Sequence, residues 1–179
     1  MSIAPSEYKA PPRTAMEVFE MLPEGTLAEV INNVIYMSPA PLFNHQDVLS
    51  NLHTTMNFYI RENKLGKCLV SPLDVFFDNK NALQPDIVFI SHENMSIVKD
   101  GKVRGAPDLI VEVLSPGNKK HDLERKKPVY EKHGVKEYFI VEPRTSEVFT
   151  FSLEDKKYIK QTGKKGEIKS KLLSHTFTF

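Results

Sequence analysis

The stretch GAPDLIVEVLSP (105–116) decides the fold of this 179-residue chain. A strand buried on both faces loses the alternation of apolar and polar residues and reads as a continuous apolar run. The run after Ala106-Pro107-Asp108 has that form, with Glu112 set in its middle. A second run of the same kind, QPDIVFI (84–90), lies upstream and is also opened by an aspartate, Asp86. Ionised carboxylates are rarely fully buried unless a partner or a cation holds them. Glu112 is therefore the anomaly, and two readings of it stand side by side: a structural ion pair at the sheet edge, or a ligand.

Working outward, residues 1–13 carry three prolines and read as an extended arm ahead of one domain, 14–179. Thr14 and Glu17 have the spacing of a capping box and predict a short helix to Met21. Leu27–Ile31 and Val34–Ser38 flank Asn32-Asn33, a pair that tolerates positive φ, which predicts an N-terminal hairpin. Asn44 is the expected cap of a long helix whose apolar residues Val48, Leu49, Leu52, Met56, Tyr59 and Ile60 keep helical spacing up to Gly66. Strands are expected at Lys67–Phe77, Asp86–Ser91 and Asp108–Leu114, with a polar connection at His92–Arg104. A helix over 118–133 ends at Gly134 and is interrupted by Pro128. A C-terminal β-meander follows (Glu137–Glu142, Glu147–Ser152, Lys156–Gln161), with a last strand near Phe177–Phe179. The pattern is that of an α/β (α+β) domain, a mixed β-sheet flanked by helices.

Hydrophobic residues make up 40% and charged residues 26% of the chain, as in ordinary globular domains. Apolar runs such as Ile87–Ile90 fall far short of the ~20 residues of a membrane span, so no membrane partner is expected. The start MSIAPSEYK lacks the basic flank and apolar stretch of a signal peptide, which points to the cytoplasm. The single cysteine, Cys68, excludes an internal disulfide and a multi-cysteine zinc site; its apolar neighbours make it a core residue. The six histidines include no i, i+4 pair, and the phosphate-loop, dinucleotide-binding and zinc-protease motifs are missing. Net charge is +1, but it is divided: residues 1–100 carry 7 Lys/Arg against 12 Asp/Glu, and residues 101–179 carry 17 against 11. The basic cluster KKHDLERKK (119–127) is either a solvated helix face or a surface for phosphates.

Two acids at the ends of neighbouring strands can hold a hard divalent cation; Mg²⁺ takes one or two carboxylates together with water and substrate phosphate. Asp122, Lys126 and Tyr130 follow at i, i+4 and i+8, which places them on one helical face. Pro128 between them is expected to kink the helix and turn Tyr130 away from Lys126.

AEVINNVIYMSPAP (28–41), His45-Gln46, SPLDV (71–75), QPDIVFI, GAPDLIVEVLSP, then Asp122, Lys126, Tyr130 and GVKEYFIVEP (134–143) occur in that order. Together they resemble the Uma-two family of the PD-(D/E)XK nuclease superfamily, across residues 24–175. The resemblance implies a restriction-endonuclease-like core and a Mg²⁺- or Mn²⁺-dependent endonuclease that cuts nucleic acid, DNA rather than RNA, as a homodimer. The alternative is a catalytically silent nucleic-acid-binding or assembly module on the same fold. By the resemblance Asp86 and Glu112 are the metal ligands. Leu114 stands where the motif's lysine belongs, and Lys126 from the next helix takes that part. Glu29 resembles the acid that precedes the core motifs, as a further ligand or base. His45, at the helix start, is suited to orient a water or a phosphate. Asp108 either caps its strand or binds Lys126, Asp122 lies beside Lys126, and Tyr130 either packs under the sheet or meets substrate. Phe139 stands where the family often shows tryptophan, which keeps an aromatic core position.

Overall fold

The computed structural model describes residues 11–117 and 119–179; the first ten residues of the expected arm, and Asn118, lie outside them. In chain order, α1 (Ala15–Glu20) precedes the hairpin of β1 (Ala28–Ile31) and β2 (Val34–Met37), and then the long α2 (Phe43–Glu62). Next come β3 (Gly66–Val70), β4 (Val75–Asp78), β5 (Asn81–Leu83) and β6 (Ile87–Ser91), a 3-10 helix at His92–Ile97, β7 (Val98–Lys99), β8 (Lys102–Arg104) and β9 (Leu109–Val113). A helical segment made of α3 (Lys119–His121), a π turn (Asp122–Lys126) and α4 (Lys127–His133) leads into β10 (Glu137–Glu142), β11 (Glu147–Glu154), β12 (Lys157–Gln161), β13 (Glu167–Ser170) and β14 (His175–Thr178).

The expected mixed sheet flanked by helices is present, and among the described residues the strands form two six-stranded sheets and a two-stranded ribbon. The larger core surrounds the sheet ordered β12-β11-β10-β9-β6-β3; the other sheet runs β2-β1-β5-β4-β8-β7, and β13 pairs with β14. Because side chains alternate across a strand, β6 and β9 feed two cores at once. Val88, Ile90, Ile110 and Leu114 pack with Val129, Tyr130 and residues of the second sheet, including Val75 and Leu83. Ile87, Phe89, Leu109, Val111 and Val113 pack beneath α2 on Leu49, Leu52, Met56 and Ile60, with Ile168 and Phe177 of the ribbon closing that side. This two-sided burial is the reason both Pro-Asp runs are continuously apolar. Glu112, two residues from Ile110 and from Leu114, faces the first of these cores.

Local chemistry explains the agreements and the departures. Thr14 caps α1 by accepting from Glu17 N–H, while the Glu17 carboxylate accepts from Arg13 N–H. Asn32 and Asn33 both have positive φ, 51° and 62°, as a two-residue hairpin of this twist requires. Asn44 does not cap α2; the helix begins one residue earlier, and its cap residue Leu42 supplies no side-chain hydrogen bond. The strand expected over Lys67–Phe77 divides at Ser71-Pro72 into β3 and β4, which join different sheets, and His92–Arg104 holds a 3-10 helix and the β7–β8 hairpin. Gly134 ends α4 in the left-handed conformation, φ 87°, with Gly134 N–H and Val135 N–H both returning to Tyr130 O.

No described helix is long and apolar enough to cross a membrane. Where α2 turns into β3, Gly66 has φ 152°, and a Cβ there would collide with the backbone carbonyl of Ile90. Gly66→Ala should destabilise the fold by about 2–3 kcal/mol through this overpacking, read as a lower urea midpoint with an unchanged slope.

Candidate active site

Strand direction brings the two acids together. β6 and β9 are antiparallel with Val88 opposite Ile110. Two residues toward the start of β6 and two toward the end of β9 give Asp86 and Glu112, at one sheet edge and on one face. Asp86 Oδ2 accepts from Val113 N–H at 2.7 Å and lies 3.1 Å from His45 Nε2. Facing a carboxylate, Nε2 is the nitrogen that carries the ring proton; His45 Nδ1 is buried and unpartnered among the described residues. Asp86 Oδ1 has a long 3.5 Å contact from Ser71 Oγ. Glu112, 3% exposed, is gripped through one oxygen: Oε1 accepts from Tyr130 OH at 2.7 Å and from Lys126 Nζ at 3.1 Å. Among the described residues no donor reaches Glu112 Oε2.

Lys126 is the centre of charge. Its ammonium, in a residue only 7% exposed, lies 2.9 Å from Glu29 Oε1, 3.1 Å from Glu112 Oε1 and 3.6 Å from Asp122 Oδ1. Pro128 does not part Lys126 from Tyr130 as expected, because the helix rewinds just before it. A proline has no N–H and its ring crowds the carbonyl four residues back. The chain meets this with the π turn, in which Lys127 N–H bonds Asp122 O and leaves Pro128 in the first turn of α4. The Tyr138 hydroxyl donates to the same Asp122 carbonyl at 3.4 Å. Asp122, Lys126 and Tyr130 thus keep one face, all turned to Glu112. Single π turns of this kind often occur at functional sites.

Glu29, Asp86, Glu112, Asp122 and Lys126 line a cavity of about 340 Å³ between the β1–β2 hairpin, the start of α2 and the end of β9. Four carboxylates against one ammonium leave an excess of negative charge, and the ionisation of each group reflects it. Burial pushes the Glu112 carboxyl well above its ordinary range; Lys126 opposes this, and Asp122, Asp86 and Glu29 add to it. Burial likewise raises Asp122, against the pull of Lys126. Burial also works against an ionised Glu29, but Lys126, with hydrogen bonds from His121, Lys126 and Gln84 N–H, brings it down to about 2. Burial disfavours the Lys126 charge, yet Glu112, Glu29 and Asp122 together hold its pKa well above the usual lysine value. Burial and the neighbouring Glu112 raise the Tyr130 hydroxyl, which stays a donor.

The donor set suits a hard divalent cation. Asp86 and Glu112 present carboxylate oxygens on one face, each with one oxygen committed to the protein and the other lacking a short protein partner among the described residues. Their shared negative charge is what such a cation offsets. Among the described residues no group of three or more His, Cys, Asp and Glu side chains is placed to hold a metal ion. Mg²⁺ in general takes one or two carboxylates together with water and phosphate rather than an all-protein cage.

Asp108 lies elsewhere. Because β6 and β9 run in opposite directions, it opens β9 at the far edge of the sheet, where Ser91 N–H, Asn94 Nδ2 and Lys136 Nζ reach it at 2.8, 3.1 and 2.7 Å. Burial opposes its ionisation, but these partners, Lys136 foremost, lower its pKa. It ties β10 to β6 and does not meet Lys126. Three participants escaped the sequence reading: Ser71, the Gln84 N–H that donates to Glu29 Oε1 at 2.9 Å, and His121, 3.4 Å from Glu29 Oε2. His121 stands beside Asp122 in sequence, but only the path of the helix shows which way it faces.

Residues 15–177 match Uma2, a family described as "Putative restriction endonuclease". The chain belongs to the Uma2 family. Among solved structures it is similar to "a putative nuclease belonging to DUF820" from Anabaena variabilis ATCC 29413, with TM-score 0.69 and 20% identity over 83% of this chain and 84% of that one. No curated protein matches it. The likeness to the solved structure establishes the fold, with its sheets and flanking helices. The Uma2 match names an endonuclease family.

Removing the ammonium tests the electrostatics. Lys126→Met leaves buried acids unpaired and should cost about 3–5 kcal/mol at pH 7. Glu29, depressed in the folded wild type, contributes stability above its unfolded pKa of about 4.5 and loses it as pH falls toward about 2. In the variant Glu29, Glu112 and Asp122 lose the charge that lowers them while burial still acts on all three, so their penalty is lifted as they protonate. The gap between wild type and variant should therefore be widest near neutral pH and close on acidification, as measured by urea unfolding at a series of pH values.

Proposed function

We propose that this chain is a Mg²⁺- or Mn²⁺-dependent endonuclease that hydrolyses phosphodiester bonds in DNA. The observation that carries the proposal is the meeting of Asp86, Glu112 and Lys126 on one wall of a cavity rich in carboxylates. Asp86 and Glu112 would hold the cation. Once bound, it supplies a polarised phosphoryl oxygen and a water acidic enough to attack at neutral pH.

The protein's own groups do the rest. His45 and Val113 N–H fix Asp86 through Oδ2, and Tyr130 fixes Glu112 through Oε1. Lys126, kept charged by its three acids, offers a cation to the negative charge that develops on the phosphoryl oxygens. Glu29 and Asp122 hold the ammonium in place, with Glu29 ionised at neutral pH. The family description favours DNA over RNA. A break in both strands would need two such sites, which two copies of the chain supply.

The test is cleavage of supercoiled plasmid, single-stranded DNA and RNA in Mg²⁺, Mn²⁺ or EDTA. Wild type should cut DNA only with metal, and Asp86→Asn and Glu112→Gln should each lower the rate at least about 100-fold while melting cooperatively. Equal cutting by wild type and both variants would remove the site assignment. Metal binding without cleavage of any substrate would move the fold to a binding or assembly role.

A further inference from the structure

A second polar array leads from Glu29 to the surface. Tyr36 stands opposite Glu29 in the β1–β2 register, so their side chains share a face of the hairpin. The His121 ring meets Tyr36 edge-on, with centroids 5.0 Å apart and planes at 73°. His121 Nε2 lies 3.4 Å from Glu29 Oε2. Arg125, one helical turn on, donates from Nη1 to His121 Nδ1 at 3.3 Å and lays its guanidinium 4.8 Å above the Tyr36 ring.

A guanidinium only donates, so His121 Nδ1 accepts and Nε2 holds the proton aimed at Glu29. Arg125 thus donates to His121 and His121 to Glu29, while the Lys126 ammonium reaches Glu29 from the interior, so donors from the surface and from the core converge on Glu29. Arg125 is exposed and, among the described residues, has no carboxylate partner. Of the other cations in the basic cluster, Lys126 is buried among acids, Lys119 lies 4.3 Å over Phe149 and Lys127 4.8 Å over Phe151, both on β11, and Lys120 is exposed without a ring platform among the described residues. A guanidinium seated over a ring and bonded to His121, with most of its five donors unused, is preorganised for a phosphate, since less side-chain freedom remains to be lost on binding.

We propose that Arg125 is a substrate-positioning residue that binds a backbone phosphate of the nucleic acid on the hairpin side of the cavity, next to the bond to be cut. This rests on the nuclease reading of the neighbouring carboxylates. Tyr36 is the platform and His121 the guide. The contact reads no base, so it acts alike on every sequence.

Fluorescence anisotropy with labelled 20-mers, duplex and single-stranded, tests this in EDTA so that no strand is cut, at several salt concentrations. Arg125→Gln should weaken binding about ten-fold for unrelated sequences. It should also lower the slope of log K against log salt by about 0.9 on duplex or about 0.7 on single strands, the signature of one lost phosphate contact. Tyr36→Leu should reproduce part of the loss. Lys157→Gln, which removes an exposed cation paired with Glu131, should leave affinity and slope unchanged, and melting temperatures should match. Under cleavage conditions Arg125→Gln should raise KM more than it lowers kcat. If wild type binds DNA and Arg125→Gln binds it equally with the same slope, this inference fails and the nuclease reading stands. An equal loss in Lys157→Gln would also overturn it, by showing diffuse attraction only. Failure of the wild type to bind any oligonucleotide would overturn both.

Discussion

The Lys126 ammonium, buried among Glu29, Glu112 and Asp122, is the constraint around which the rest of the molecule is arranged. Removing an ammonium and its acids from water costs several kcal/mol per ion, and their mutual attraction returns that only with good geometry and further hydrogen bonds. Those bonds come from separate parts of the chain: the Tyr130 hydroxyl on α4, His121 on α3 and the Gln84 N–H between β5 and β6. Apolar side chains of similar size would fill the same space at lower cost. A cluster that holds three acids around one base, with a fourth, Asp86, on the same cavity, is therefore poorly explained by stability alone. It is well suited to a site that binds a cation and a phosphate diester.

Strand direction decides which acids belong to it. Two Pro-Asp pairs open two apolar runs, and by sequence Asp86 and Asp108 look equivalent. In an antiparallel pair the openings of the two strands lie at opposite edges. Asp86 therefore meets Glu112, near the end of β9, while Asp108 is carried to the far edge and into a bond with Lys136. The Pro-Asp pair lies on the carboxylate-lined cavity in one copy and in an ion pair with Lys136 in the other, and the register of β6 on β9 is what separates them.

Much of this was legible in the residues. Continuous apolar runs marked the two-sided strands, Asn32-Asn33 marked the hairpin, and a carboxylate inside a buried strand marked Glu112. The i, i+4, i+8 spacing of Asp122, Lys126 and Tyr130 foretold their shared face, although Pro128 argued against it; the π turn that reconciles them leaves no periodic trace. The second sheet was illegible for a different reason. β4, β5, β7 and β8 have two to four residues each, too few for a period to show, and their pairings depend on contacts distant in sequence. Arg125 was lost within a basic run, because charge patterning does not say which cation stacks on a ring and which turns toward another strand.

The most direct test of the central claim is calorimetric titration of Mn²⁺ into the wild type, Asp86→Asn and Glu112→Gln at neutral pH. A cation site formed by these two carboxylates predicts saturable binding in the wild type, accompanied by a rise in melting temperature, and its loss in both variants. Binding that is the same in all three proteins, or absent from the wild type even with an oligonucleotide present, would contradict it.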